Sequence, residues 1–273
     1  VTDSTASVPP DVAERLGITV IQLELRVGEE YDDERRVPHE RLAQALRDGV
    51  PVSTAPPPPP AFFWNYSDIA STGVEAIVSV HLSEGMSQTC ESARVAAAEI
   101  GVPVHVVDSR LCGLGLGYPV IAAAEAAAAG ATLQGVLGVL DQRLRTTSEL
   151  LYVDTLEYLR RGGRVGRAQA MLGQTLSIKP VLTLRDGQLE PLTKGVGPDR
   201  ALKKAVRTAV DRAGDGPVDI AVEHFQQGER AEELGNRLQA RLPRSRKHML
   251  EHTSAIIGAH TGPGAIGITI SPA

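Results

Sequence analysis

Residues 76–110 read AIVSVHLSEGMSQTCESARVAAAEIGVPVHVVDSR, and the fold follows from how this stretch divides. Ala76 to His81 and Val104 to Asp108 are short β-branched apolar runs that predict strands, and Gly85 to Ile100 between them has a helical pattern. Strand, helix and strand in this order form the βαβ unit of a parallel sheet. Upstream, Ile18 to Leu25 predicts another strand. Downstream, Leu116 to Ala129 predicts a helix, since Ala122–Ala124 and Ala126–Ala129 are the strongest of helix formers. Two of the strands end in polar residues before a helix, His81-Leu82-Ser83 and Asp108-Ser109-Arg110. Open parallel sheets bind ligands beyond the carboxyl ends of their strands, so these residues mark the expected edge of a site.

From Glu149 the pattern changes. Leu176 to Leu184, the turn Arg185-Asp186-Gly187 and Gln188 to Thr193 read as a hairpin, which a purely parallel sheet lacks. A helix over Pro198 to Ala213, a strand over Val218 to His224, a helix over Glu229 to Arg241 and strands around Met249 and Ile266 follow. The expected architecture is α/β in two domains: residues 1–150 with a parallel sheet, and residues 151–273 with a mixed sheet.

Composition narrows the function. The chain has 273 residues, 42% of them hydrophobic, and its 33 acidic and 28 basic residues give a net charge of -5. That balance disfavours a nucleic-acid partner. Cys90 and Cys112 form neither a disulfide framework nor a C-x-x-C pair, and no run approaches the length of a membrane span. The first residues carry no basic-then-apolar signal pattern, so the expected location is the cytoplasm. Aromatic residues are only 3% of the chain, yet Phe62, Phe63 and Trp64 are adjacent and follow five prolines, Pro56 to Pro60. The proline run predicts a stiff polyproline II segment, either a spacer or a wall that aims Ser53 and Thr54.

Several motifs carry chemistry. Val1-Thr2-Asp3-Ser4-Thr5 reads as the carboxyl end of a first strand with helix-capping residues. His81-Leu82-Ser83-Glu84-Gly85-Met86-Ser87-Gln88-Thr89 supplies three hydroxyls at the opening of a helix, where unpaired N–H groups favour a carboxylate or phosphate. Gly85-Met86-Ser87-Gln88-Thr89 also approaches the G-x-S-x-G nucleophile elbow, with Thr89 in place of the last glycine. A serine hydrolase of acyl esters, with Ser87 as nucleophile and His260 as base, is therefore the alternative enzyme reading. Leu159 to Arg167 packs four arginines among three glycines, suited to bidentate recognition of carboxylate or phosphate, or simply to a solvated helix end. His260 lies in a Gly/Pro-rich turn. His248 and His252 are four apart with no third ligand evident, so no metal site is expected.

Together, V-T-D-S-T at the start, H-L-S-E-G-M-S-Q-T, V-V-D-S-R, L-R-R-G-G-R-V-G, L-S-I-K-P-V-L and the closing G-A-H-T-G-P-G-A-I-G resemble the DegV family, in this order over essentially the whole chain. The resemblance implies a two-domain DegV-like α/β fold that buries a long-chain fatty acid, of palmitate or oleate class, between its domains. It implies no other cofactor and no catalytic activity of its own: the partner is the ATP-binding subunit of a fatty-acid kinase, which phosphorylates the carboxyl group. Carried residue by residue, the carboxylate-binding hydroxyls correspond to Ser53 or Thr54 and to Ser87, and the groups supporting phosphoryl transfer to Arg164 and His260. Ser53-Thr54-Ala55-Pro56 stands where relatives often have T-S-Q-P, which leaves open which of the two hydroxyls faces the ligand.

Overall fold

A computed structural model describes residues 1–171, 173 and 177–272; Leu176, at the start of the expected hairpin, lies outside them. The first part of the chain runs β1 (Thr2–Asp3), α1 (Pro10–Arg15), β2 (Val20–Ile21), β3 (Glu24–Val27), β4 (Glu30–Asp33), α2 (His39–Arg47), β5 (Val52–Ala55), α3 (Pro59–Ser71), β6 (Ile77–His81), α4 (Thr89–Ala97), β7 (Val104–Asp108), α5 (Gly113–Ala128) and α6 (Leu133–Thr146). The remainder runs β8 (Ser148–Tyr152), α7 (Glu157–Arg161), β9 (Ile178–Arg185), β10 (Gln188–Val196), α8 (Pro198–Ala213), β11 (Val218–His224), α9 (Gly228–Arg241), β12 (Ser245–His252), α10 (Ala255–Thr261) and β13 (Ile266–Pro272).

These elements build an α/β protein. A parallel sheet of order β2-β1-β6-β7 and a small antiparallel sheet, β4-β3-β5, belong to the first part. A mixed sheet of order β10-β9-β8-β13-β11-β12 belongs to the second, with β11 and β12 its parallel pair. One hydrophobic core is shared by the two parts: Leu25, Leu42, Leu82 and Leu116 pack in the same cluster as Val153, Leu182, Phe225 and Ile256. A second cluster lies between the mixed sheet and helices α8 and α9. Arg143 of α6 ties the parts together through a buried ion pair, donating from Nη2 to Asp219 Oδ2 at 2.5 Å. Among the described residues no helix is long and apolar enough to cross a membrane.

Three expectations need correction. Ile18 to Leu25 is not one strand but two, β2 in the parallel sheet and β3 in the small sheet. Ile21, Leu23 and Leu25 are all buried, so the alternation runs unbroken through the change of sheet, while Leu23 N–H donates to Ser4 Oγ where the chain crosses over. The helix expected over Gly85 to Ile100 is shorter, Thr89–Ala97. Residues before it form a turn in which Met86 N and Ser87 N both donate to Ser83 O. Ser83 Oγ in turn donates to Gly187 O in the β9–β10 turn, and this long-range bond holds the segment out of the helix. The five prolines also divide: Pro58 is extended, whereas Pro59 and Pro60 open α3, where a missing N–H costs nothing. In α3, Phe62 and Tyr66 are fully buried while Trp64 is exposed.

Candidate functional site

The strand β5 sets the first hydroxyl. Side chains alternate across a strand, so Ser53 and Thr54 face opposite ways. Thr54 lines a large cavity; Ser53 lines only a second one, which Thr54 and His260 also border, together with Tyr158, Arg161 and Gly162. Thr54 Oγ1 lies 2.8 Å from His260 Nε2. His260 belongs to the last turn of the short helix α10, not to the Gly/Pro turn that follows it. Its ring packs so tightly against Gly162 that any Cβ there would collide with Nδ1. Burial and, second, the nearby Arg164 guanidinium push the imidazole down to about 4, so it is neutral at pH 7. Its Nδ1 is buried with no hydrogen-bond partner among the described residues.

Of the four arginines in 159–167, one turns inward. Arg160 and Arg161 are held on the surface by Glu157, and Arg167 by Glu190. Arg164 lines the cavity, donating from Nε to Met86 O at 3.0 Å and from Nη1 to Gly162 O at 2.6 Å. The first of these bonds places it beside Ser87, which lines the same cavity and whose Oγ is 2.9 Å from Thr89 Oγ1. Thr54, Ser87, Arg164 and His260 thus share one wall region, and Ser53 does not belong to it.

The turn that carries Ser87 is anchored from below by residues whose role the sequence did not disclose. Asp3 Oδ2 is 2.9 Å from His81 Nδ1 and accepts from Leu82 N; His81 Nε2 is 2.7 Å from Ser79 Oγ, which is 2.7 Å from Tyr66 OH. All four side chains are fully buried. Despite its Ser, His and Asp members this chain of hydrogen bonds has no access to substrate, and it fixes the loop after β6.

The cavity encloses about 1040 Å³, part of it open to solvent, and is walled mainly by Leu23, Leu82, Leu151, Leu159, Leu184 and Ile256. Two further acids, Glu149 of β8 and Glu223 of β11, line it. Both project from the mixed sheet onto the amino end of α5, where unpaired N–H groups attract anions. Cys112 N donates to Glu149 Oε2 at 3.3 Å and Leu114 N to Glu223 Oε2 at 2.7 Å. The approach needs Gly113, since a Cβ there would lie 2.5 Å from Glu223 Oε2. Burial raises both acids, Glu223 to about 7 and Glu149 well above the ordinary range, with Glu223 adding to the rise at Glu149. Sequence reasoning missed this pair. The available signals were the repeated glycines of Gly113-Leu114-Gly115-Leu116-Gly117 at a helix start and a carboxylate inside the buried strand Val218–His224.

The hydrolase reading lacks its dyad: His260 Nε2 faces Thr54 and Ser87 Oγ faces Thr89, while His260 Nδ1 has no carboxylate to orient it. The His252 ring packs against His224 and His39, with centroids 4.4 and 5.1 Å away. Among the described residues no group of three or more His, Cys, Asp or Glu side chains is arranged to hold a metal ion.

Comparison with known proteins places this geometry in a family. Residues 1–273 match the model described as "uncharacterised protein, DegV family". A DegV domain-containing protein of Streptomyces coelicolor is 44% identical over 272 residues, which is 99% of this chain and 97% of that one. Among solved structures, a DegV family protein of Thermus thermophilus, described by its fatty-acid binding, superposes with a TM-score of 0.95 at 30% identity, covering 100% of this chain and 98% of the other. DegV of Bacillus subtilis, described as a fatty acid binding protein, gives a TM-score of 0.91 at 28% identity over 100% and 98%. The chain belongs to the DegV family.

Proposed function

We propose that this protein binds one long-chain fatty acid, of palmitate or oleate class, with its acyl chain in the apolar cavity and its carboxylate at Thr54 and Ser87. It presents that carboxylate to a separate ATP-dependent kinase subunit in the cytoplasm, which forms the acyl phosphate. On this reading residues 1–150 and 151–273 are two domains with the ligand between them. The observation that carries the proposal is the asymmetry of the cavity: mostly hydrocarbon wall, with two hydroxyls, a guanidinium and a neutral imidazole gathered in one region. The fatty acids bound by the Thermus and Bacillus relatives support the same conclusion.

The chemistry follows from the hydrogen bonds. With His260 neutral and its Nε2 protonated, the ring donates to Thr54 Oγ1, which leaves the Thr54 hydroxyl to donate to a carboxylate oxygen. Ser87 donates to the other. The second cavity, which Thr54 and His260 also border, gives the kinase's nucleotide an approach. As a carboxylate oxygen attacks the γ-phosphorus of the kinase-bound ATP and the bond to the β,γ-bridging oxygen breaks to release ADP, Arg164 meets the charge on the oxygens in transfer, and His260 holds Thr54 in place. Each buried methylene contributes about 0.8 kcal/mol, so an acyl chain of palmitate length supplies about 10 kcal/mol before ordering costs. That suffices for sub-micromolar retention. Denaturing the purified protein and weighing the released small molecules should find close to one fatty acid per chain. Empty protein that also fails to take up labelled palmitate or oleate contradicts the proposal.

A further inference from the structure

The acid pair on the cavity wall is not used by fatty-acid binding as described above. Its structural duty is to cap α5, and Glu223 Oε2 does this through Leu114 N. One oxygen is enough for that bond. The other, Glu223 Oε1, is buried with no hydrogen-bond partner among the described residues, on a side chain only 5% exposed that lines the lipid cavity. Ser7 Oγ faces the same carboxylate, has no other partner among the described residues, and is not among the residues that line the cavity. A buried polar atom left unpaired is costly, and Glu223 Oε1 stands on a wall otherwise suited to hydrocarbon.

The geometry points to a second polar contact inside the lipid site: Glu223, with Ser7 beside it, accepts a hydroxyl carried on the acyl chain, so that the cavity favours a long-chain hydroxy fatty acid over the unsubstituted acid. This rests on the fatty-acid reading and narrows its ligand class. A hydroxyl suits the place for three reasons. It is neutral, so it adds no charge to an apolar wall. It can donate to Oε1, which satisfies the unpaired acceptor. It also adds only one small atom to the chain.

The test is a competition on the delipidated full-length protein between stearate and a series of monohydroxystearates in which the hydroxyl is walked along the chain. One position, or two adjacent ones, should bind at least about tenfold tighter than stearate, as expected for a hydrogen bond to a charged or strongly polar group. In Glu223→Met the ratio of the two affinities should fall to about one. If Glu223→Met does not fold, the positional scan of the native protein decides alone: a single optimum supports the inference and a flat profile overturns it. Stearate bound more tightly than every hydroxy acid overturns this inference while leaving the fatty-acid reading standing. Binding of neither class overturns both.

Discussion

At one region of the cavity wall, Thr54, Ser87, Arg164 and His260 form a polar cluster; at another, Glu149 and Glu223 lie against the amino end of α5. Both place ionisable groups beside hydrocarbon, and both are shifted toward neutrality by burial, but in opposite senses. The imidazole of His260 loses its proton readily and the carboxyl of Glu223 keeps its proton until about pH 7. The first region offers donors to an anion in a site that already carries the Arg164 guanidinium, the second offers acceptors to a neutral group. One cavity therefore has two kinds of polar contact, and on the proposed function the difference between them orients the fatty acid.

Removing the guanidinium is the strongest way to break that contrast. Arg164→Ala should retain bound fatty acid but lower acyl-phosphate formation with a cognate kinase by about 10²-fold or more, since its charge is needed most in the transition state. Lipid content and coupled ATP consumption on the same sample check this; unchanged turnover removes Arg164 from the reaction. Next in size is the hydroxyl pair. Thr54→Val with Ser87→Ala should weaken fatty-acid binding by roughly 10- to 100-fold, and Ser53→Ala by no more than about twofold, because Ser53 faces away from the cavity. Equal effects of Ser53 and Thr54 would contradict the strand geometry.

The smallest effect is on stability against pH, and its sign differs between the regions. His260 and His224 are both lowered to about 4 by burial, so the unfolded chain binds more protons between about pH 4 and 6.5. Stability contributed there is present above pH 6.5 and lost as pH falls through 4. Glu223 is raised to about 7, so between about pH 4.5 and 7 the folded chain binds more protons, and its contribution is lost as pH rises through 7. Urea melts across pH should show His260→Gln flattening the acid limb and Glu223→Gln flattening the neutral one. Both variants flattening the same limb would contradict the assignment.

Much of this was legible in the chain. Val104–Asp108, Pro198–Ala213 and Val218–His224 are the expected elements residue for residue, because a β-branched run, or a proline at a helix start, is a local signal. The hairpin turn at Asp186-Gly187 is local in the same way. Arg164 and His260 stood out as residues, yet only the tertiary structure separates Arg164 from its three surface neighbours or sets His260 against Thr54 across the fold. The Glu149–Glu223 pair was invisible because it exists only where two strands of one sheet meet the helix start of another segment. Ile18 to Leu25 misled for a related reason: alternation reports burial on one face and is silent on which sheet does the burying.

The central claim is that a fatty acid lies in this cavity with its carboxylate at the Thr54–Ser87 wall. The most direct measurement is a crystal structure of the protein loaded with palmitate or oleate. The account predicts electron density for a continuous acyl chain between the two parts, its carboxylate within hydrogen-bond distance of Thr54 Oγ1 and Ser87 Oγ. A chain bound elsewhere, or bound in the cavity with its carboxylate away from both hydroxyls, would contradict it.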